Sequence, residues 1–583
     1  MDTSKEHSTA LHNEEVAAAF DEMADLLSIQ ADNAFRVGAY RRAAQVVRTL
    51  PRELAQMHGV EDFDALPGIG ADLAAKIEEL LRTGNLSALE RMRVRIPSGL
   101  RELLALPGLG PVRVRALFTG LKVRSVEDLR RALAKGRLSQ LRGFGPVLQT
   151  RLAQALAERQ GAPAQRTPYS VATQYARPLT AYLKSIPGVT RVQIAGSFRR
   201  GCETVGDLDV LVCARQTSKP IEALKRYAEL DSLTAAGSTR ASGVLRNGLQ
   251  VDVRVLPPAS FGAGLHYFTG SRAHTIHMRR RAQERGCKLS EYGLFHGARR
   301  LAGASEEELF RALDLPYIPP ELREDRGEIE AAAQHALPKL VELADLQGDL
   351  HVHTNASDGS ATLEQMVTGA QARGLRYAAI TDHSKHLGVT HGLDAARLSE
   401  QIDAIDRLNE TLQVFTVLKG AEVDILEDGR LALEDAILKR LDVVVIAVHS
   451  HFGLSEVQQT NRILRALERP AICILAHPFG RLLGSRPPYA LDFERVLSAV
   501  QQRGCFMEIN AQPLRLDLND VHARAARERG ILLSIASDAH SREQFGLLEN
   551  GIRQARRAWL TRHDVLNARP LHELRALLRA SMR

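Results

Sequence analysis

"VVVIAVHSHF", residues 443–452, is a run of six apolar residues that stops abruptly at a histidine. The pattern recurs from about residue 346 onward in "YAAITDHS" (377–384), "AICILAHPF" (471–479), "CFMEIN" (505–510) and "LLSIASDAH" (532–540), with helical stretches between them. Strands that are apolar throughout must be covered on both faces. Such strands alternating with helices indicate a parallel sheet, most simply a closed barrel. In barrels of that kind the chemistry sits where the strands end, so polar residues far apart in sequence meet in space. The strand ends here supply His351, His353 and Asp358 in "DLHVHTNASDGS" (349–360), His383, Glu422 in "GAEVDI" (420–425), His449, His477, Asp538 and His540. Twelve of the twenty histidines lie after residue 348, which makes a chance gathering at strand ends improbable.

Imidazole and carboxylate donors without thiolate suit zinc, manganese or iron. Nine ligands exceed the three or four that one catalytic ion takes, so two or three ions are implied. Clustered ions hold phosphate oxygens and make hydroxide available at neutral pH, which points to phosphoester hydrolysis. Asp349 and His451 are candidates for orienting the ligands from behind. Arg481 and Arg486, after "AHPFG", are placed either to approach DNA phosphates or to belong to an ordinary surface loop.

Upstream, the pattern changes to alternating strands: "RVQIAGSFRRG", "DLDVLVCA" and "LQVDVRVLPP". Asp207 and Asp209 bracket Leu208, and a side-chain period of two puts both carboxylates on one face. Asp252 lies on another strand with Arg254 on its face. Three carboxylates converging on a half-buried sheet repel one another unless cations lie between them, and magnesium keeps positions open for phosphates. "GSFRRG" (196–201) offers the backbone of Gly196, the hydroxyl of Ser197 and the fork of Arg200, which suit a triphosphate.

Residues 1 to about 160 are helical, punctuated by "LPGIG" (66–70), "LPGLG" (106–110) and "LRGFG" (141–145). A GxG turn at a helix start points backbone N–H groups at an anion. Gly68 and Gly70, Gly108 and Gly110, and Gly143 and Gly145 form three such turns, similar to helix-hairpin-helix motifs that grip DNA backbone without reading its sequence. Residues 91–160 carry fifteen Lys or Arg against four Asp or Glu, within a net charge of +8 for 583 residues. That local surplus suits phosphate contact. "QRTPYS" (165–170) reads as a linker, residues 259 to about 315 as a helical stretch, and "LPYIPPELRE" (315–324) as a boundary. Five cysteines without a CxxC pair suggest neither disulfides nor thiolate zinc. With no signal-like or membrane-length apolar run, a cytoplasmic protein is expected; association with the nucleoid and a monomeric state are further expectations.

"AGSFRRGCETVGDLDVLV", "VDVRV" and "YFTGS" (267–271) resemble the signatures of family X DNA polymerases, those similar to DNA polymerase beta, up to about residue 320. The resemblance implies that Asp207, Asp209 and Asp252 hold Mg2+ and that Ser197 and Arg200 hold the triphosphate. Tyr267, Phe268, Gly270 and Ser271 would shape the sugar and base pocket, and Arg279 would reach the template. Arg272 and Thr275 depart from the family pattern, and the short Thr275 hydroxyl weakens a minor-groove contact to the nucleotide. Lys76 matches the lysine that forms a Schiff base with an abasic sugar in the vertebrate enzyme, although Asp72 stands where that enzyme has another lysine.

The segment from "HVH" to "SDAH" resembles the PHP domain, a distorted (β/α)7 barrel with three metals, here taking Mn2+ or Zn2+. The expected fold is multidomain: helix-hairpin-helix regions at 1–90 and 91–164, an α+β nucleotidyltransferase palm at 165–258, a nucleotide-selection subdomain at 259–324, a linker at 325–345 and the barrel at 346–583. The implied enzyme fills gapped or 3′-recessed DNA with deoxynucleoside triphosphates and trims 3′ ends, with abasic-site cleavage as a further activity. Two alternatives are a DNA-binding PHP nuclease with a vestigial polymerase half, and a small-molecule phosphatase joined to a DNA-binding half.

Overall fold

A computed structural model describes residues 11–582 except 51, 58, 67, 105, 107, 146, 147, 151, 154, 155, 157–165 and 386–390. The chain divides into two compact units, Met1–Gln165 and Arg166–Arg583.

The first unit is helical around one apolar core that runs from Val16 to Leu156. Helix Ala71–Thr83 starts at Gly70 and helix Pro111–Leu121 at Gly110, each glycine being the capping residue. Gly68, Gly108 and Gly143 have φ of 72°, 86° and 87°, a left-handed turn that a Cβ would strain. The apolar residue inside each turn, Ile69, Leu109 and Phe144, is buried in that core. The hydrophobic plug therefore anchors each loop against the core. The residues directly after Gly145 lie outside the described set.

In the second unit a five-stranded sheet has the order Val189–Ile194, Asp207–Ala214, Gln250–Leu256, Arg240–Leu245, Leu230–Ala236. Asp207–Ala214 and Gln250–Leu256 pair in parallel and the other neighbours are antiparallel. One face, carrying Leu208, Val210, Val212 and Val253, packs beneath helix Tyr169–Lys184. The other carries Leu211, Cys213 and Leu256 against Phe261. Residues 259–315 are not wholly helical: between helix Arg272–Glu284 and helix Glu306–Ala312 lies a three-stranded antiparallel sheet, Lys288–Ser290, Gly293–His296 and Arg299–Ala302. Strands of three or four residues are too short to display an alternating pattern. The stretch 325–345, read as a linker, is packed: Ile329, Ala332 and Leu340 are buried with Trp559 of the barrel.

The barrel has seven parallel strands in sequence order: Gly348–Val352, Tyr377–Ile380, Thr416–Asp424, Val443–Ala447, Ile474–Leu475, Phe506–Asn510 and Leu533–Ala536. First and last strands approach at a Val352–Ala539 bridge, with His353 N donating to Ala539 O at 2.8 Å. Every strand is buried along its whole length, apart from Thr416 and Lys419. That explains the uninterrupted apolar runs. No helix among the described residues is long and apolar enough to cross a membrane.

Candidate active sites

Parallel pairing sets Asp209 directly opposite Asp252, and Asp207 follows two residues away on the same face. One oxygen from each of the three carboxylates lies within 4.8 Å of the others. Burial pushes Asp209 up to about 7, with the charges of Asp207 and Asp252 adding to it. Asp207 is raised as well, first by burial and then by Asp252. Three carboxylates crowded on one face, two of them with the anion disfavoured by burial, fit hard divalent cations. Ser242 Oγ donates to Asp252 Oδ1 from the neighbouring strand. A crevice of about 340 Å³ runs alongside, lined by Arg240, Ser242, Asp252 and Arg254.

Gly196 stands at the end of the adjoining strand with φ 61°, and a Cβ there would come 2.5 Å from Asp209 Oδ2. A Cβ there would push the Asp209 carboxylate aside, and φ 61° strains any L side chain. Gly196→Ala is expected to lower primer extension by about a hundredfold through displacement of Asp209, measured as single-nucleotide gap filling with Mg2+. Ser197 follows in the short helix Gly196–Arg199. Arg200 Nε donates to Glu324 Oε1 at 2.9 Å and Nη1 to Thr269 O at 2.5 Å. Gly270, with φ 66°, lies against the same guanidinium, a Cβ there coming 3.2 Å from Arg200 Nη1.

Tyr267 and Phe268 meet edge to face at 4.9 Å on helix Phe261–Thr269. Arg279 stacks on Tyr267 at 4.8 Å and Arg254 on Phe268 at 4.5 Å, so both arginines are seated on the aromatic pair. Ser271 caps helix Arg272–Glu284 by accepting from His274 N. Thr275 is buried and its hydroxyl donates to Ser271 O at 2.9 Å, while Arg272 is exposed. In the first unit Lys76 is paired with Asp72 one turn earlier and donates to Asp72 O at 3.3 Å.

The barrel brings all nine strand-end residues together. Three overlapping groups each place one ligand atom per residue within 4.8 Å: His353, Asp358, His383 and His540; His351, His353 and Asp538; His383, Glu422 and His449. Glu422 is the common neighbour, 2.9 Å from His383 Nδ1, 2.9 Å from His477 Nε2, 3.1 Å from His449 Nε2 and 3.4 Å from His351 Nε2. His351 Nε2, both nitrogens of His353, His383 Nδ1, His449 Nε2 and His477 Nδ1 are buried with no aligned hydrogen-bond partner. Buried, unsatisfied imidazoles converging on carboxylates, with no thiol nearby, fit two or three divalent cations.

Burial opposes every charge in this cluster. Against it, the surrounding imidazoles hold Glu422 and Asp538 well below the carboxylate range. The carboxylates hold His351 and His383 well above their ordinary value. Burial and the Arg515 charge push His477 down to about 4, whereas Asp358 brings His540 up to about 9 against burial. Asp538 at φ 51° and His477 at φ 26° lie in the left-handed region, backbone strain that gathers at functional sites.

Behind the ligands stand carboxylates that sequence reading passed over. Glu508 accepts from His351 Nδ1 at 2.7 Å and from His477 N at 2.8 Å, and Asp424 accepts from His449 Nδ1 at 2.8 Å. Their signal was a charge inside an otherwise apolar strand. Asp349, which was singled out, accepts from His351 N and from Ser537 N, and burial pushes it up to about 7. His451 is exposed and lies 3.6 Å from Glu427. Arg481 is turned to the palm, where it grips Glu203 at 3.1 and 2.7 Å. Arg486 is half-buried on Phe452 at 4.1 Å, and burial with the Arg515 charge lowers it to about 10.

A nucleotidyltransferase palm with a carboxylate triad, joined on one chain to helix-hairpin-helix loops and a nine-residue imidazole and carboxylate cluster, defines a class of metal-dependent enzymes working on phosphoester bonds. Comparison with known families agrees in each part. Residues 11–86 match a helix-hairpin-helix domain, 100–158 a tandem of the same motif, 264–324 the DNA polymerase beta thumb and 349–512 the PHP domain. The chain is 36% identical over 573 residues to the DNA polymerase/3′-5′ exonuclease PolX of Bacillus subtilis (strain 168), covering 98% of this chain and 100% of that one. It therefore belongs to the family X DNA polymerases that carry a C-terminal PHP domain. The chain is also 30% identical over 231 residues to a "probable phosphatase" of Thermoanaerobacter sp. (strain X514), covering 38% of this chain and 89% of that protein. A "probable phosphatase" of Syntrophotalea carbinolica is 33% identical over 166 residues, 28% of this chain and 64% of that one.

Proposed function

We propose that this chain is a DNA repair enzyme that extends 3′ ends at short gaps with one centre and shortens or cleans 3′ ends with the other. The observation that carries the reading is the pair of separate ligand sets, a carboxylate triad and a histidine-rich cluster, on one chain of this family. In the first centre Asp207, Asp209 and Asp252 hold Mg2+, which when bound supplies positive charge to the reacting phosphate and primer hydroxyl. Ser197 and Arg200 hold the triphosphate, the Arg200 fork matching phosphate oxygens. Tyr267, Phe268, Gly270 and Ser271 bound the sugar and base, and Arg254 and Arg279, braced on the two rings, reach the DNA.

In the second centre His351, His353, Asp358, His383, Glu422, His449, His477, Asp538 and His540 hold Mn2+ or Zn2+, whose bound state supplies an activated water at neutral pH. Glu508 and Asp424 fix the rings of His351 and His449, and with them the direction of the coordinating nitrogens. The glycine loops at 68–70, 108–110 and 143–145 hold DNA backbone. Residues 1–90 and 91–164 serve that purpose, 165–258 and 259–324 nucleotide addition, and 346–583 hydrolysis, in a monomer working on chromosomal DNA in the cytoplasm.

A labelled primer on single-nucleotide-gapped DNA, with Mg2+ or Mn2+, tests the reading: extension with nucleotides and shortening from the 3′ end without them are expected. Absence of extension under every metal condition would leave only the vestigial-polymerase alternative. The phosphatase likenesses favour a second reading of the barrel, which faster hydrolysis of histidinol phosphate than of a 3′-recessed end would support.

For Lys76 the proposed role is lyase nucleophile, and its Nζ is tied to Asp72 one turn earlier on the helix, a contact that must open before the amine reaches a sugar. Borohydride trapping on a 5′-deoxyribose phosphate end is expected to rise about threefold or more in Asp72→Ala and to vanish in Lys76→Ala. Trapping that survives Lys76→Ala assigns the nucleophile elsewhere.

A further inference from the structure

The palm loop that follows Gly196 is gripped from the barrel at three points. Gln554 Nε2 donates to Gly201 O at 3.3 Å, Arg557 Nη1 donates to Arg200 O at 2.9 Å, and Arg481 holds both Glu203 oxygens. Gln554 and Arg557 stand on barrel helix Leu548–Arg557. Arg557 Nη1 also donates to Glu324 Oε1 at 2.9 Å, and that same oxygen accepts from Arg200 Nε at 2.9 Å. Arg557 is in turn fixed by Asp520, Nη2 to Oδ2 at 2.9 Å, with Arg326 on that oxygen at 2.9 Å.

The Arg557 side chain is 6% exposed and that of Glu324 16%, so the pairing is shielded from water, and removing either partner leaves the other charge buried and unmatched. Burial pushes Glu324 up, but Arg200 and Arg557 together hold it below the ordinary carboxylate range. Its charge is thereby kept. With Nε on Glu324 and Nη1 on Thr269 O, the Arg200 guanidinium plane is set, and Nη2 has Cys202 Sγ at 4.0 Å as its one described partner.

We propose that Arg557, a residue of the hydrolytic barrel, is a positioning residue for nucleotide addition: through Glu324 it fixes Arg200 so that the remaining N–H groups meet the triphosphate. The proposal rests on the reading of Arg200 as a triphosphate ligand. An arginine whose plane is already set loses less side-chain freedom when the phosphate arrives, so the expected effect is on nucleotide affinity. The barrel then has two uses, one at its strand ends and one on the outer helix that braces the polymerase.

Steady-state gap filling by full-length protein tests this, with KM for the incoming nucleotide and kcat measured separately in Arg557→Ala, Arg557→Lys, Glu324→Gln, Arg200→Ala and the double variant Arg200→Ala/Arg557→Ala. Arg557→Ala is expected to raise KM about tenfold while kcat changes less than about threefold. Arg557→Lys should recover part of that, because one ammonium cannot hold Glu324, Arg200 O and Asp520 in the same plane. Glu324→Gln, which keeps the shape and removes the charge, should raise KM in the same direction. The double variant should match Arg200→Ala alone, since both act through one guanidinium.

Shortening of single-stranded 3′ ends should stay within about twofold in Arg557→Ala, showing an intact barrel. If that variant loses shortening too, Glu324→Gln decides in its place. A raised KM in Arg200→Ala with an unchanged KM in both Arg557→Ala and Glu324→Gln would overturn the positioning role. An unchanged KM in Arg200→Ala removes the triphosphate reading itself, and the proposal with it.

Discussion

Asp209→Asn is expected to abolish primer extension, by at least about a thousandfold, while leaving metal-free stability undiminished. The two effects have one cause. Asp209 is buried opposite Asp252 and beside Asp207, and burial with these like charges raises it to about 7. An acid whose folded value lies above its unfolded one contributes stability that is complete below the unfolded value and lost as pH rises through the folded one. In metal-free buffer the wild type should therefore lose stability between about pH 4 and pH 7, with Asp207, also raised by burial, contributing in the same direction. The asparagine variant should lack most of that loss, because it carries no charge to bury. Added Mg2+ at pH 8 should raise the unfolding midpoint of the wild type more than that of the variant, as a ligand bound only by the folded state does. Extension that persists in Asp209→Asn would detach the triad from catalysis. A midpoint lower than wild type in metal-free buffer at pH 7 would contradict the repulsion.

How much of this was legible in the sequence follows from the range over which each signal acts. The barrel was legible because strands buried on both faces must be apolar throughout, and "VVVIAVHSHF" shows that with nothing but its own composition. Most of its nine candidate ligands were legible for the same reason: His353, His383, His449, His477 and Asp538 lie at or just past the end of an apolar run, whereas Glu422 lies inside strand Thr416–Asp424 and Asp358 in the loop beyond Val352. The Asp207 and Asp209 pair follows from a period of two within one strand. The helical reading of residues 259–315 failed at strands such as Gly293–His296, where a glycine with φ 151° and four residues leave no pattern to read. Glu508 and His351 are 157 residues apart, and their contact exists only once the barrel closes. Glu324 and Arg557, 233 residues apart, carry charges of the kind found on any solvated surface. Their burial, which gives the pair its meaning, is a property of two packed domains and has no periodicity.

Glu422→Gln should empty the second centre and spare the first. Glu422 is buried on Thr416–Asp424, and its two oxygens face His351, His353, His383, His449 and His477 at 2.9 to 3.6 Å. No other carboxylate among the described residues pairs with so many of the imidazoles, so its charge offsets a large share of the positive charge the site gathers. An amide of the same shape retains one acceptor, turns an N–H2 group toward imidazoles and removes the charge with which Glu422 would hold a cation. The metal content of purified protein, counted by mass spectrometry after growth in manganese, should fall by at least one ion per chain. Shortening of a 3′ end should fall by at least about a thousandfold, whereas extension of a gapped primer with Mg2+ should stay within about twofold. The contrast with Asp209→Asn is what separates two centres from one: each substitution should remove one activity and leave the other. Loss of both activities from either change would mean that a single centre serves both reactions. Shortening that survives the loss of metal would place hydrolysis outside the barrel.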